Sequence, residues 1–173
     1  MKNIVIIGMP GAGKSTAGII LAKALGMSFI DTDVVIQENT GRLLQEIIDA
    51  DGAEAFLETE EKTILSLHCR TTVIATGGSV VLSRTAMEHL KKDGTVIYLK
   101  ISLEEMVRRL RNISTRGIVL VRGQGLPDMY SRRVQLYEKY ADITIDGETG
   151  SFEDMITTII GALQKIPGWC DTR

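Results

Sequence analysis

A four-residue apolar run, Ile4-Val5-Ile6-Ile7, ends directly on Gly8-Met9-Pro10-Gly11-Ala12-Gly13-Lys14-Ser15. These eight residues have the spacing G-x-x-x-x-G-K-[ST], that of a loop which wraps phosphate groups. No other feature constrains the fold so tightly. Such a loop works only between a strand and a helix. The chain must turn so that several backbone N–H groups point inward at a helix N-terminus, where the helix dipole adds partial positive charge. Residues 14–25 carry that helix pattern. Gly11, Ala12, Gly13 and Thr16 are expected in the cradle. Lys14 reaches the β- and γ-phosphates, and the Ser15 hydroxyl is a ligand for Mg2+. A glycine-rich turn that binds nothing would need neither the strand before it nor the helix after it.

Bulk properties narrow the class. A length of 173 residues suits one domain with a real core, 1–173, and 44% apolar with 24% charged residues is the balance of a soluble globular chain. A net charge of −2 offers no electrostatic footprint for nucleic acid. No apolar run approaches the roughly 18 residues of a membrane span. The strand begins so close to Met1 that a signal peptide has no room. The two cysteines, Cys69 and Cys170, lack metal-ligand spacing and read as reduced thiols, which points to the cytoplasm.

Short Val- and Ile-rich runs alternate with amphipathic stretches. Strands are expected at 3–8, 28–31, 72–75, 95–100 and 143–146, buried on both faces. Helices are expected at 14–25, 33–39, 43–50, 54–68, 83–92, 103–111, 126–140 and 152–165. Ser102 with Glu105 has the spacing of an N-terminal capping box. Strand–helix alternation implies right-handed βαβ units. The expected architecture is therefore a three-layer α/β fold of the P-loop type, a five-stranded parallel sheet with helices on both faces. Ligands then bind beyond the carboxyl ends of the strands. Residues 112–125 fit no regular element and carry Arg116, Gly117, Arg122, Gly123 and Gly125. A loop of this length is expected to be a lid that brings an arginine to the transferring phosphoryl group.

Two further segments fall at strand ends. Phe29-Ile30-Asp31-Thr32-Asp33 closes the second strand, and in extended chain Asp31 and Asp33 point to one side. One carboxylate can hold Mg2+ while the other orients an acceptor hydroxyl and takes its proton. Capping of the following helix is the competing role. Ala75-Thr76-Gly77-Gly78-Ser79 follows the third strand, where paired glycines let a ligand approach the backbone closely.

Together these residues resemble the shikimate kinase family. The resemblance runs along nearly the whole chain. It rests on GMPGAGKST, FIDTD, and DGAEAFLETE, which is similar to the family's G-E-x-x-F-R-x-x-E. The TGG after the third strand, the lid arginine, and Arg133-Val134-Gln135-Leu136-Tyr137, similar to R-x-P-L-Y, complete it. The resemblance implies transfer of the γ-phosphate of ATP, with Mg2+, to a hydroxyl of a small polar metabolite, by a monomer. It implies Lys14 on the phosphates, Ser15 and Asp31 at the metal, Asp33 as base and acceptor contact, and Arg116 at the phosphoryl group. It also implies the Gly77–Gly78 backbone in the acceptor pocket, Arg133 on the acceptor carboxylate and Arg109 against the adenine. The acceptor-binding region is expected at about 33–62.

Three departures bear on the acceptor. Glu58 is read at the position of the family's arginine, which helps clamp the shikimate carboxylate, so the charge there is reversed. Ser79 replaces a third glycine, and Gly117 follows the lid arginine in place of proline. Glu58 either turns outward, leaving Arg133 to hold the carboxylate, or lines a pocket rebuilt for another alcohol. If it faces the pocket, Glu58→Arg is expected to raise kcat/KM for shikimate by about tenfold or more. Other readings are a nucleoside monophosphate kinase, which transfers phosphate to AMP or CMP, and an ATP-binding module without catalysis, which consumes no ATP with any small alcohol.

Overall fold

The computed structural model describes residues 2–111, 118–120, 123, 125–148, 150–167 and 169. Five strands are present: β1 (Asn3–Gly8), β2 (Ser28–Asp31), β3 (Thr72–Ala75), β4 (Gly94–Lys100) and β5 (Ile143–Asp146). The helices are α1 (Lys14–Leu25), α2 (Thr32–Thr40), α3 (Leu44–Ser66), α4 (Arg84–Asp93), α5 (Leu103–Leu110), α6 (Leu126–Tyr140) and α7 (Phe152–Leu163), with a 3-10 turn at Val80–Leu82.

The strands form one parallel sheet in the order β2-β3-β1-β4-β5, with helices on both faces. β1 leads through α1 to the far edge strand β2, and β3 then returns to fill the gap. The chain therefore reverses direction across the sheet at β1, and a crevice opens beyond its carboxyl end. β1 and β3 are buried along their whole length, and β4 in all but its last residue. β2 and β5 depart from the expected two-sided burial. They are edge strands with a neighbour on one side only, and both are half-exposed.

Two apolar clusters divide the interior. The large one surrounds the sheet and includes Ile4, Ile6, Leu21, Val96, Ile97 and Ile159. The small one, Ile36, Leu44, Ile47, Phe56 and Val119, joins α2 and α3 to the 118–120 segment. α3 is kinked where Gly52 takes φ 88° and ψ 165°. The two helices expected on either side of that residue are therefore the two arms of one element. The kink brings the second arm, with Phe56 and Glu60, over the carboxyl end of the sheet.

Candidate active site

The phosphate loop is shaped by its glycines. Gly11 and Gly13 have φ of 82° and 88°, a left-handed region that side chains with a Cβ rarely enter. Gly13 caps α1, and Ala12 N–H donates to Met9 O at 3.1 Å to close the turn. Lys14 is 6% exposed, and its Nζ donates to Gly8 O and Met9 O, both at 2.9 Å. The ammonium is thereby held inside the loop, where phosphate oxygens would compete with these two carbonyls. Ser15 and Thr16 follow in the first turn of α1, Ser15 half-buried and Thr16 exposed.

Arg109 ties this loop to the far side of the site. Its Nη1 donates to Gly11 O at 3.1 Å and its Nη2 to Gly147 O at 3.0 Å, while Nε pairs with Glu105. Glu105 also binds Arg108, and the two guanidinium groups hold its carboxyl down to about 2. The Ser102–Glu105 capping box is therefore half made. Ser102 Oγ accepts from Glu105 N–H, but the Glu105 carboxylate is committed to two cations, and Ser102 N–H donates to Glu148 instead.

Across the sheet from the loop, Asp31 ends β2 and caps α2, its Oδ1 accepting from Asp33 N–H at 3.0 Å. Capping thus falls to Asp31, and Asp33 stands in the first turn of α2 rather than in extended chain. Thr32 between them is fully buried, and its Oγ1 accepts from Gly77 N–H at 3.2 Å. This bond fastens the end of β2 to the Gly77–Gly78 loop. A methyl group added to Gly77 would run into the Glu60 carboxylate and lie 2.8 Å from Asp33 Oδ1. One added to Gly78 would lie 2.9 Å from Pro10 Cδ. The paired glycines are thus the place where the phosphate loop and two carboxylates meet on one stretch of backbone.

α6 supplies the cation. Arg133 is 3% exposed, and its Nη2 donates to Val119 O at 2.6 Å. One turn later on the same face, Tyr137 donates to Gly78 O at 2.5 Å and stacks on Tyr98 with ring centroids 5.0 Å apart. Arg133 is in this way fixed relative to the glycine loop.

Glu58 points away from the site. Its side chain is 67% exposed and pairs with Lys62 at 3.7 Å, one helical turn on. Counted from Phe56 in F-R-x-x-E, the arginine position is Leu57, not Glu58, and the glutamate position is Glu60. The correction removes the charge reversal: a cation is replaced by an apolar side chain, which packs on the small cluster. Arg116, expected in the lid, lies outside the described residues.

Glu60, Thr32 and Tyr137 join the site and were not expected as site residues; Ser79, expected only as a departure bearing on the acceptor, joins it through Glu60. Glu60 is 2% exposed, and its Oε2 accepts from Ser79 Oγ at 2.7 Å. Its Oε1 has no hydrogen-bond partner among the described residues. Burial pushes its carboxyl up to about 7; Asp33 adds to the rise, while Ser79, Arg133 and Lys14 oppose it. The only sequence signal for Glu60 was its place at the end of the F-x-x-x-E spacing.

Comparison with known proteins agrees with the geometry. Residues 10–164 match the family model described as "SKI: Shikimate kinase". A shikimate kinase of Thermodesulfovibrio yellowstonii is 38% identical over 96% of this chain and 97% of its own. One from Thiobacillus denitrificans is 36% identical over 96% and 92%. The solved structure of a shikimate kinase from Acinetobacter baumannii in complex with shikimate superposes with a TM-score of 0.86 at 31% identity, over 95% of this chain and 93% of that one. With a phosphate-loop motif at the head of α1 and this likeness along nearly its whole length, the chain belongs to the shikimate kinase family.

Proposed function

We propose that the protein transfers the γ-phosphoryl group of ATP to a ring hydroxyl of shikimate, giving ADP and shikimate 3-phosphate. The observation that carries this reading is the closeness of Pro10 to Gly78, where an added Cβ would lie 2.9 Å from Pro10 Cδ, with Asp33 crowding the neighbouring Gly77 and Tyr137, one turn after Arg133, bonded to Gly78 O. Donor and acceptor are thereby brought face to face. The curated relatives and the shikimate-bound neighbour support shikimate as the acceptor.

In this reading the loop N–H groups and Lys14 bind the β- and γ-phosphates, and Arg109 borders the adenine side. Arg133 pairs with the acceptor carboxylate, and the Gly77–Gly78 backbone supports the ring. Asp33 orients the acceptor hydroxyl and takes its proton as the new P–O bond forms and the bond to the ADP oxygen breaks. Ser15 and Asp31 offer only hard oxygen donors, a hydroxyl and a carboxylate, which suits Mg2+ with its preference for oxygen and retained water. When bound there, Mg2+ would neutralise phosphate charge. Arg116 is proposed as the lid arginine. Phosphoryl transfer has a loose transition state, so positioning and charge neutralisation outweigh base strength. A small soluble kinase of this kind is expected to act as a cytoplasmic monomer; among the described residues no helix is long and apolar enough to cross a membrane.

A coupled assay of ADP formation with Mg2+-ATP and millimolar shikimate, with Lys14→Ala as blank, tests the reading. Turnover above about 1 s-1 that needs shikimate supports it. Intact ATP binding with no shikimate-dependent turnover points to another small alcohol.

A further inference from the structure

Two departures from the family pattern meet on one carboxylate. F-R-x-x-E sets an arginine and a glutamate three apart on a helix, where side chains are neighbours. Here the arginine position is Leu57, whose side chain packs on the small apolar cluster of α2 and α3 and brings Glu60 no charge. The family's third glycine is Ser79, 5% exposed, and its hydroxyl donates to Glu60 Oε2 at 2.7 Å. Ser79 and Leu57 are far apart in sequence and on different elements, yet each decides what partner Glu60 has.

Resting on the shikimate reading above, we infer that Ser79 is the positioning residue that holds Glu60 in place of an arginine at position 57, and that Glu60 Oε1 accepts a hydrogen bond from the acceptor hydroxyl next to the one Asp33 takes. Four observations support this. Glu60 is buried, so its orientation is set by packing and not by solvent. Its Oε1 lacks a partner among the described residues, and a buried acceptor in that state favours a ligand donor. Glu60 and Asp33 crowd the same Cβ-free spot at Gly77, so a ring lying on that glycine presents neighbouring hydroxyls to both carboxylates. The charged groups that face Glu60 are Asp33 of α2, Lys14 of α1 and Arg133 of α6, with the Tyr137 hydroxyl also on α6. Arg133 is committed in part to Val119 O, which leaves Ser79 as the donor that fixes Glu60 Oε2.

The test is a double-mutant cycle in the full chain: Ser79→Gly, Leu57→Arg and the pair, each assayed with ATP and shikimate varied in turn. Ser79→Gly is expected to raise KM for shikimate at least fivefold, with KM for ATP within twofold. Leu57→Arg is expected to lower KM for shikimate at least fivefold more in the Ser79→Gly background than in the parent, since an arginine there can also meet the acceptor carboxylate directly. A Ser79→Gly enzyme with unchanged KM for shikimate, or a pair whose effect is the product of the two singles, overturns the inference. Melting temperature against pH, without substrate, supplies a readout that does not depend on the acceptor. Ser79→Gly is expected to steepen the fall between pH 5 and 8, and Glu60→Gln to abolish that difference. A parent enzyme that melts this way but has no shikimate turnover overturns the acceptor assignment alone. Equal pH slopes for parent and Ser79→Gly overturn the Ser79–Glu60 link itself.

Discussion

Glu60 is the residue where burial and charge conflict most openly. Its carboxyl sits at about 7 in the folded chain against an ordinary 4.5, so between those values the native state holds a proton that the unfolded state has released. Stability contributed by the protonated form is complete below about 4.5 and is lost as pH rises through about 7, by up to about 3 kcal/mol. Glu60→Gln cannot ionise. Its melting temperature is expected to fall less than that of the parent between pH 5 and 8, and parallel curves would refute the assignment. Glu58 makes the opposite case. Exposed and, among the described residues, paired with Lys62, it is expected to tolerate Glu58→Arg with kcat/KM for shikimate within twofold of the parent. The tenfold gain expected from the sequence alone would return Glu58 to the pocket. Lys14 and Asp33 were legible as site candidates because their spacing carries chemistry by itself. Glu60 was not, and Ser79 stood out only as a missing glycine, because a glutamate in a run of acidic residues and a serine after two glycines reveal their link only when the fold brings them 2.7 Å apart.

At the scale of elements, short local signals set most boundaries. β1, β2, β3, β5, α1 and α6 fall where apolar runs and breakers place them. The kink of α3 was read as a gap between two helices, since Gly52 breaks the helical pattern in either case. Gly52 has φ 88° and open space around its Cβ position, so Gly52→Ala meets no clash but must adopt a left-handed backbone. It is expected to cost about 1–2 kcal/mol, read as a lower urea midpoint at unchanged m-value. No loss of stability would mean that the kink is not held in this conformation. Tyr137 joins α6 to the glycine loop through its bond to Gly78 O. Tyr137→Phe keeps the ring stack and leaves that carbonyl without its donor. The expected result is about 1 kcal/mol lower stability and a several-fold higher KM for shikimate at near-constant kcat. An unchanged KM would show that Arg133 and the glycine loop hold their places without it.

Across the whole molecule, strand order is what the sequence could not supply. Alternating strands and helices imply a parallel sheet, but they do not say that β3 inserts between β2 and β1. That insertion puts Gly77 and Gly78 beside the phosphate loop, and the kink at Gly52 carries Glu60 over them. The candidate site is thus assembled from the ends of β1, β2 and β3 with α1, α2, α3 and α6, elements whose mutual distances no local pattern encodes. The measurement that tests this assembly most directly is a 31P spectrum of the enzyme turning over Mg2+-ATP with shikimate. The expected result is a new phosphomonoester signal growing in step with ADP, absent with Lys14→Ala and strongly slowed with Asp33→Asn. ATP consumed to inorganic phosphate alone, or a phosphomonoester formed as fast by Asp33→Asn, would contradict a site in which this floor presents the acceptor to the phosphate loop.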